Sequence, residues 1–314
     1  MLLGCILPMT SLIQRIWRCS LRVAVGLLIP ALVATVPTAC AIEAHDTLEV
    51  VIESKDLTES SGLAVSHRVP GHFWTHNDSG DSPRLLAINQ LGSVTGSLLL
   101  EGANAIDWED MASFIDQGSR RLLIADIGDN QSKRSSVMVY LLDEPDPLRH
   151  TRTRSYRTIE IRYPDGPCDC ESIAVDVPRR LVWLVAKRIF PNVPLYSLPL
   201  PEGDIIASTV GDRQMLTRRG TLPLPMVTGM DVDPRTGDVL LVNYRQLIRY
   251  ASDRGSSAGA WIARTPEVTE LPKLKQVEAV AVDGEGYVWV TSEGTPAKLV
   301  RLPQGRSTRA EETP

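Results

Sequence analysis

One short motif recurs five times along the 314-residue chain and limits the folds open to it. It runs small or acidic residue, small residue, aliphatic, Ala or Asp, aliphatic, Asp or Ser. The copies are "SGLAVS" from Ser61, "ESIAVD" from Glu171, "TGMDVD" from Thr228 and "EAVAVD" from Glu278, with a weaker one, "EDMASF", from Glu109. Each is followed by a turn and a second β-rich run, such as "HFWTHND", "RLVWLVAKR" or "GYVWVTSEG", and then by a third, such as "RLLAINQ" or "AKLVRLP". Strands such as "TLEVVIES", "GSLLLEG", "YRTIEIRY" and "RGTLPLP" precede the motifs. The first positions lie 48, 62, 57 and 50 residues apart. Four short strands per unit at this period predict an all-β chain folded as a β-propeller of five blades, and the longer second and third intervals leave room for a sixth. The last unit runs out of chain after its third strand, so "TLEVVIES" is expected to complete it and close the ring. A sandwich of repeated hairpins would not keep one motif in register five times.

The first 41 residues differ from the rest. They carry Arg15, Arg18 and Arg22, no acid, the apolar run "VAVGLLIPALVATV" and the exit "PTACA", in which Ala39 and Ala41 fit an A-x-A cleavage site. The expected organisation is a signal peptide over 1–41, one propeller domain over 42–305 and a polar tail over 306–314. The protein is therefore expected to be exported, periplasmic or secreted, with no membrane span in the mature chain. "VPTAC" also resembles a lipobox, which keeps lipid anchoring at Cys40 as the alternative. Removing three arginines from 33 basic residues leaves 30 against 38 acidic, a net charge of −8 that argues against a nucleic-acid partner. Of five cysteines only Cys168 and Cys170 lie beyond residue 40, so no disulfide framework is expected. A bridge across one intervening residue would be strained, and reduced thiols packed beneath the rim are expected instead.

Register places the candidate site. The innermost strand of a blade starts, and the second strand ends, on the same face of the disc. The motif's first position supplies Ser61, Glu109, Glu171, Thr228 and Glu278, and two residues earlier come Glu59, Asp107, Asp169, Met226 and Gln276. The ends of the second strands supply Asn77, Asp78, Asp126, Lys187, Arg188, Tyr244, Arg245 and Glu293. Three glutamates at one ring position repel, and burial raises their cost unless a cation compensates. The expected metal ligands are Asp78, Glu109, Asp126, Glu171 and Glu278. Hard oxygen donors suit Ca²⁺, then Mg²⁺, and a single nearby imidazole, His76, makes Zn²⁺ a poor fit. Arg188 and Arg245 are expected to bind an anionic small molecule, with His76 and Asn77 as further ligand contacts, and Glu171, Lys187 and Tyr244 form the candidate catalytic set. Asp81, Asp129 and Asn130 fit tight-turn chemistry. No GxSxG, HExxH or P-loop pattern is present.

"SSGLAVS", "WTHNDSGD", "NAIDWEDMA", "ADIGDN", "YPDGPCDCESIAVD" and "LVAKR", in that order, resemble bacterial exported propellers related to the SdiA-regulated and esterase-like-activity-of-phytase groups. The resemblance covers most of residues 57 to 300 and implies a propeller with a hydrolytic or ligand-binding role. The Cys pair, and Met226 and Thr228 where acids are expected, depart from that pattern. Two functions follow for a monomeric protein. One is metal-dependent hydrolysis of a phosphate or related ester, and the other is ligand or partner binding without catalysis.

Overall fold

The computed structural model describes residues 40–41, 47–203, 205, 212–252, 255 and 257–303. The expected signal peptide over 1–41, apart from Cys40 and Ala41, and the expected polar tail over 306–314 lie outside the described residues. Five sheets make five blades of a β-propeller. The innermost strands are Ser60–Val65, Trp108–Asp116, Cys170–Asp176, Val227–Val232 and Val277–Val282. Each continues antiparallel into its second and third strands, for example His72–Asn77 and Arg84–Asn89 in the first blade. In the fifth blade the outermost strand is Leu48–Val51, which pairs antiparallel with Lys298–Arg301, so a strand that precedes the first motif closes the ring.

Three blades carry a fifth strand, added parallel at the outer edge. His150–Thr153 joins the first blade and Asp212–Met215 the second, while Cys40–Ala41 pairs with Thr269 and Glu270 of the fourth. The first two account for the long second and third intervals between motifs. The extra residues return to cover the previous blade's edge and do not build a sixth.

Both faces of every blade are apolar because each is sandwiched between two others, and the innermost strands of the first, third and fifth blades are buried at every position. Five separate cores form, one at each blade-to-blade interface. Trp74 packs with Trp108 and Met111, Phe114 with Ile173, Trp183 with Met230, Leu240 with Val280, and Leu63 with Trp289. The motif's closing Asp caps the turn into the second strand. Asp283 accepts from the Tyr287 N–H at 2.9 Å and the Trp289 indole N–H at 2.8 Å, and Asp176 serves Arg179 and Trp183 in the same way. Cys168 and Cys170 are free thiols buried in the core between the second and third blades, as expected. Among the described residues no helix is long and apolar enough to cross a membrane.

Innermost strands present unpaired backbone groups toward the axis, and two carboxylates answer them. Asp110 stands where the other motif copies have Gly62, Ser172, Gly229 and Ala279. It accepts from the N–H of Met111 at 2.8 Å and reaches Ile173 at 2.9 Å in the third blade and Met230 at 3.3 Å in the fourth. Asp231 accepts from Val232 and, in the fifth blade, Val282, each at 2.8 Å. Burial pushes the Asp110 carboxyl well above the ordinary carboxylate range although three backbone N–H groups pull it down. An acidic residue in the weakest motif copy thus ties three blades together across the axis. Asp110→Ala is expected to lower the unfolding free energy by about 2 kcal/mol, because it leaves buried N–H groups unpaired. Urea denaturation measures this, and a loss below about 0.5 kcal/mol would show that the axis does not depend on that carboxylate.

Candidate functional site

The five innermost strands share one irregularity. Their register slips by one residue at the start, between Ser60 and Gly62, Trp108 and Asp110, Cys170 and Ser172, Val227 and Gly229, and Val277 and Ala279. Each slip is a β-bulge, and the residue left without a cross-strand partner is Ser61, Glu109, Glu171, Thr228 or Glu278. A bulge bends the strand and re-aims the side chain. Here it happens five times at one level of the ring. Ser61 and Thr228 spend their hydroxyls on the next blade, donating to the carbonyls of Glu109 at 2.6 Å and Val277 at 2.8 Å. The three glutamates line a mouth cavity of about 80 Å³.

Around them the cavity is lined by Glu59, Ser61, Asp78, Asn130, Lys187, Tyr244, Gln276 and Glu293. Two groups of carboxylates there have oxygens within 4.8 Å of one another, Asp78 with Asp107 and Glu109, and Glu109 with Asp169 and Glu171. Glu109 belongs to both. It is 4% exposed, and among the described residues no donor reaches its carboxylate. A methyl group on Gly128 of "DIGDN" would overlap Glu109 Oε1 and Asp107 Oδ2, so both carboxylates would have to shift to admit one. Lys187 forms an ion pair with Glu171, and its ammonium lies 5.4 Å from the centre of the Tyr244 ring.

The electrostatics follow from crowding and burial. Desolvation raises Glu109 well above the usual range, with Glu171 and Asp78 adding repulsion. It lifts Asp107 to about 6, helped by Asp78, and Glu171 to about 7 against the pull of Lys187. Glu278 is lifted to about 8 by burial, with Lys187 opposing and Glu171 assisting. Burial works against the charge of Lys187, yet the Glu171 carboxylate holds its pKa well above the ordinary lysine range.

Of the residues expected at the site, Asp78, Glu109, Glu171, Glu278, Lys187 and Tyr244 converge on the cavity. Five do not. Asp126 is fully buried, paired with Arg134 at 2.8 Å, and accepts from the N–H groups of Ile106 and Asp107. It sits opposite Trp108 in the ladder, in register with Asn77 and Asn243, whereas Asp78, Lys187, Tyr244 and Glu293 lie one residue beyond. The second blade's residue at that level is Ile127. Asn77 is a strut: its Oδ1 accepts from Thr58 at 2.9 Å and Glu59 at 3.2 Å, and its Nδ2 donates to Asp56 and Asp81. His76 is buried against Gly62 and edge-on to Trp108, with Nδ1 on the Asn77 carbonyl. Arg188 and Arg245 are exposed and do not line the cavity, because alternation turns them away from the axis that Lys187 and Tyr244 face. The two arginines expected to bind an anion thus lie outside the cavity wall. Asp107 and Asp169, recognised only as ring neighbours, supply the missing carboxylates. Asp81 and Asp129 serve turns as expected, Asp129 accepting from Lys133 at 2.9 Å and Arg134 at 2.7 Å. Asn130 instead joins the cavity wall.

No family model matches the chain, and no curated protein does, so the likeness to the SdiA-regulated and phytase-esterase groups stays a likeness of motifs. Solved structures similar to it include a gluconolactonase from Xanthomonas campestris, at 14% identity over 82% of this chain and 90% of that one, with a TM-score of 0.45. A glucose dehydrogenase is 12% identical over 82% of this chain and all 100% of its own, with a TM-score of 0.49. The soluble aldose sugar dehydrogenase of Escherichia coli in its apo-form is 12% identical over 81% and 99%, with a TM-score of 0.44. At these identities no site residue carries over.

The raised carboxyls make stability depend on pH. Asp107, Glu171 and Glu278, at about 6, 7 and 8, hold protons in the native state that unfolded carboxyls release near pH 4. The native state therefore binds more protons across that window, and stability falls as pH rises through it. In chelator, the melting temperature is expected to drop between pH 5 and pH 8 and to be restored at pH 8 by Ca²⁺. A flat profile without cation would show that the carboxylates are not forced together.

Proposed function

We propose that this chain is a divalent-cation-dependent ester hydrolase working at the propeller mouth. The observation that carries the reading is Glu109, buried, without a hydrogen-bond donor, and shared between two carboxylate groups. A buried carboxylate beside four others is costly unless a cation answers it. Asp78, Asp107, Glu109, Asp169 and Glu171 would hold that cation. Their donor set is all oxygen, since His76 faces Gly62 and both thiols lie in the core, which favours Ca²⁺ and then Mg²⁺ over Zn²⁺. When bound, the cation would supply Lewis-acid polarisation of an ester carbonyl and acidify a water.

The chain's own groups provide the rest. Lys187 and Tyr244, stacked on one wall, orient the ester oxygens. Glu278, whose raised pKa keeps it protonated at neutral pH, donates to the departing alcohol, and Glu171 takes the proton from water. The water oxygen bonds to the acyl carbon, the acyl-to-alkoxy bond breaks, and the water's proton reaches the alcohol through these carboxyls. Six carboxylates line the cavity against one ammonium among the described residues, so an uncharged carboxylic ester is received more readily than a phosphate dianion. Export, the setting expected from the N-terminal sequence, belongs to the same proposal, because extracellular Ca²⁺ suits a site of moderate affinity.

The purified protein is expected to hydrolyse p-nitrophenyl acetate with Ca²⁺ and to lose turnover in chelator. Glu109→Gln should cost at least about a hundredfold in kcat/KM. Turnover indifferent to chelator and to Glu109→Gln would overturn the reading.

A further inference from the structure

Two adjacent blades carry the same pair of acids at the mouth. In the second blade Asp107 stands two residues before the bulged Glu109, and in the third Asp169 stands two before the bulged Glu171, so "DWE" and "DCE" occupy equivalent places. The same positions elsewhere hold Glu59 and Ser61, Met226 and Thr228, and Gln276 and Glu278. Each of the two pairs meets one carboxylate of the blade before it. Asp107 and Glu109 lie with Asp78 of the first blade, and Asp169 and Glu171 with Glu109 of the second, the oxygens of each trio falling within 4.8 Å of one another.

That spacing divides the donor set. A Ca²⁺ ion bound at about 2.3–2.6 Å holds no two of its ligand oxygens more than about 5 Å apart. Each trio meets this limit, whereas among the described residues the five carboxylates do not form one such set. Both trios also keep open donors. Glu109, 4% exposed and without a hydrogen-bond donor, lines the cavity and belongs to both. Asp78 gives Oδ1 to the Ser79 N–H, Asp169 gives Oδ1 to the Asp129 N–H, and Glu171 pairs with Lys187 through Oε2, so each keeps its second oxygen outside these contacts. Charge points the same way. Fully ionised, the five carboxylates carry five negative charges against the one positive charge of Lys187. A single divalent ion leaves two of them uncompensated, and a pair cancels them, which matters where the carboxylates are buried.

We propose that the mouth holds two divalent cations, one in each trio, with the Glu109 carboxylate bridging them. The inference rests on the cation-dependent reading of the mouth and assigns its ligands: Asp78 and Asp107 to the first ion, Asp169 and Glu171 to the second. Because Ca²⁺ takes about six to eight oxygens, three carboxylates at each ion leave positions for water and substrate.

The test counts Ca²⁺ on the chelator-stripped protein by calorimetry and then reads Mn²⁺ in its place by electron paramagnetic resonance. Two Ca²⁺ per chain are expected, falling to one in Asp78→Asn and to one in Asp169→Asn, with neither kept below about 1 mM in Glu109→Gln. Both Asn variants still accept the local N–H through the amide oxygen. Two Mn²⁺ sharing a carboxylate are expected to be spin-coupled, as ions about 4 Å apart are, and the single ion left in either Asn variant to give an uncoupled spectrum. The count and spectrum of the unaltered protein decide the matter even where a variant fails to fold. One Ca²⁺ per chain, or two Mn²⁺ without spin coupling, would overturn the bridged pair and leave the cation-dependent hydrolase standing. No bound Ca²⁺ would overturn that reading and this inference with it.

Discussion

A β-bulge repeated at the start of every innermost strand is the constraint on which the mouth depends. An unbroken ladder would keep the motif's first side chain between blades, where its neighbours are apolar. The slip releases it toward the axis in all five blades, at Ser61, Glu109, Glu171, Thr228 and Glu278. Two of these are hydroxyls that stitch one blade to the next. Three are carboxylates brought together by the geometry of the ring, and burial, with repulsion between neighbours added, raises the pKa of each. Lys187 offsets part of that cost by pairing with Glu171 and by opposing the shifts of Glu278 and Glu109.

The scaffold tolerates this because its stability lies elsewhere. Five apolar interfaces carry the burial, and Leu48–Val51 pairs with Lys298–Arg301 in one blade, so that local fraying there must open an antiparallel pair. The axis, where inner edges would expose unpaired N–H groups, is sealed by Asp110 and Asp231 below the mouth. A rim that is electrostatically strained can then rest on a core that is not, the division expected of a working site on a rigid support.

The fold was legible because its signal is periodic: one motif with four strands around it predicts blades, and a missing final strand predicts closure by the first. The parallel edge strands were not legible, since an interval of 62 residues does not say whether its surplus builds a blade or covers one. At the site, the motif's first positions were legible as one ring, whereas the bulge that turns them toward the axis was not. Errors arose at the second strands, where turn length sets the register. One residue separates Asp126 from Ile127, and that step exchanged a structural ion pair for a presumed ligand. The same step separates Lys187 from Arg188 and Tyr244 from Arg245, and only the first of each pair faces the axis. His76 and Asn77 look like ligands because they are polar beside Asp78, yet Asn77 is spent on local backbone and the His76 ring packs on Trp108 with Nδ1 on the Asn77 carbonyl. Gly128 carried a usable signal, since a glycine between two acidic runs marks close approach of something bulky and polar.

The central claim is that the carboxylates around Glu109 are assembled for a cation. Titrating Ca²⁺ into the cation-free protein by calorimetry at pH 7, in two buffers of different ionisation enthalpy, measures affinity and proton release together. The account predicts saturable binding below about 1 mM, with protons released because carboxyls held above their ordinary range must ionise, and loss of both in Glu109→Gln. Absence of binding at that concentration, or binding untouched by Glu109→Gln, would contradict it.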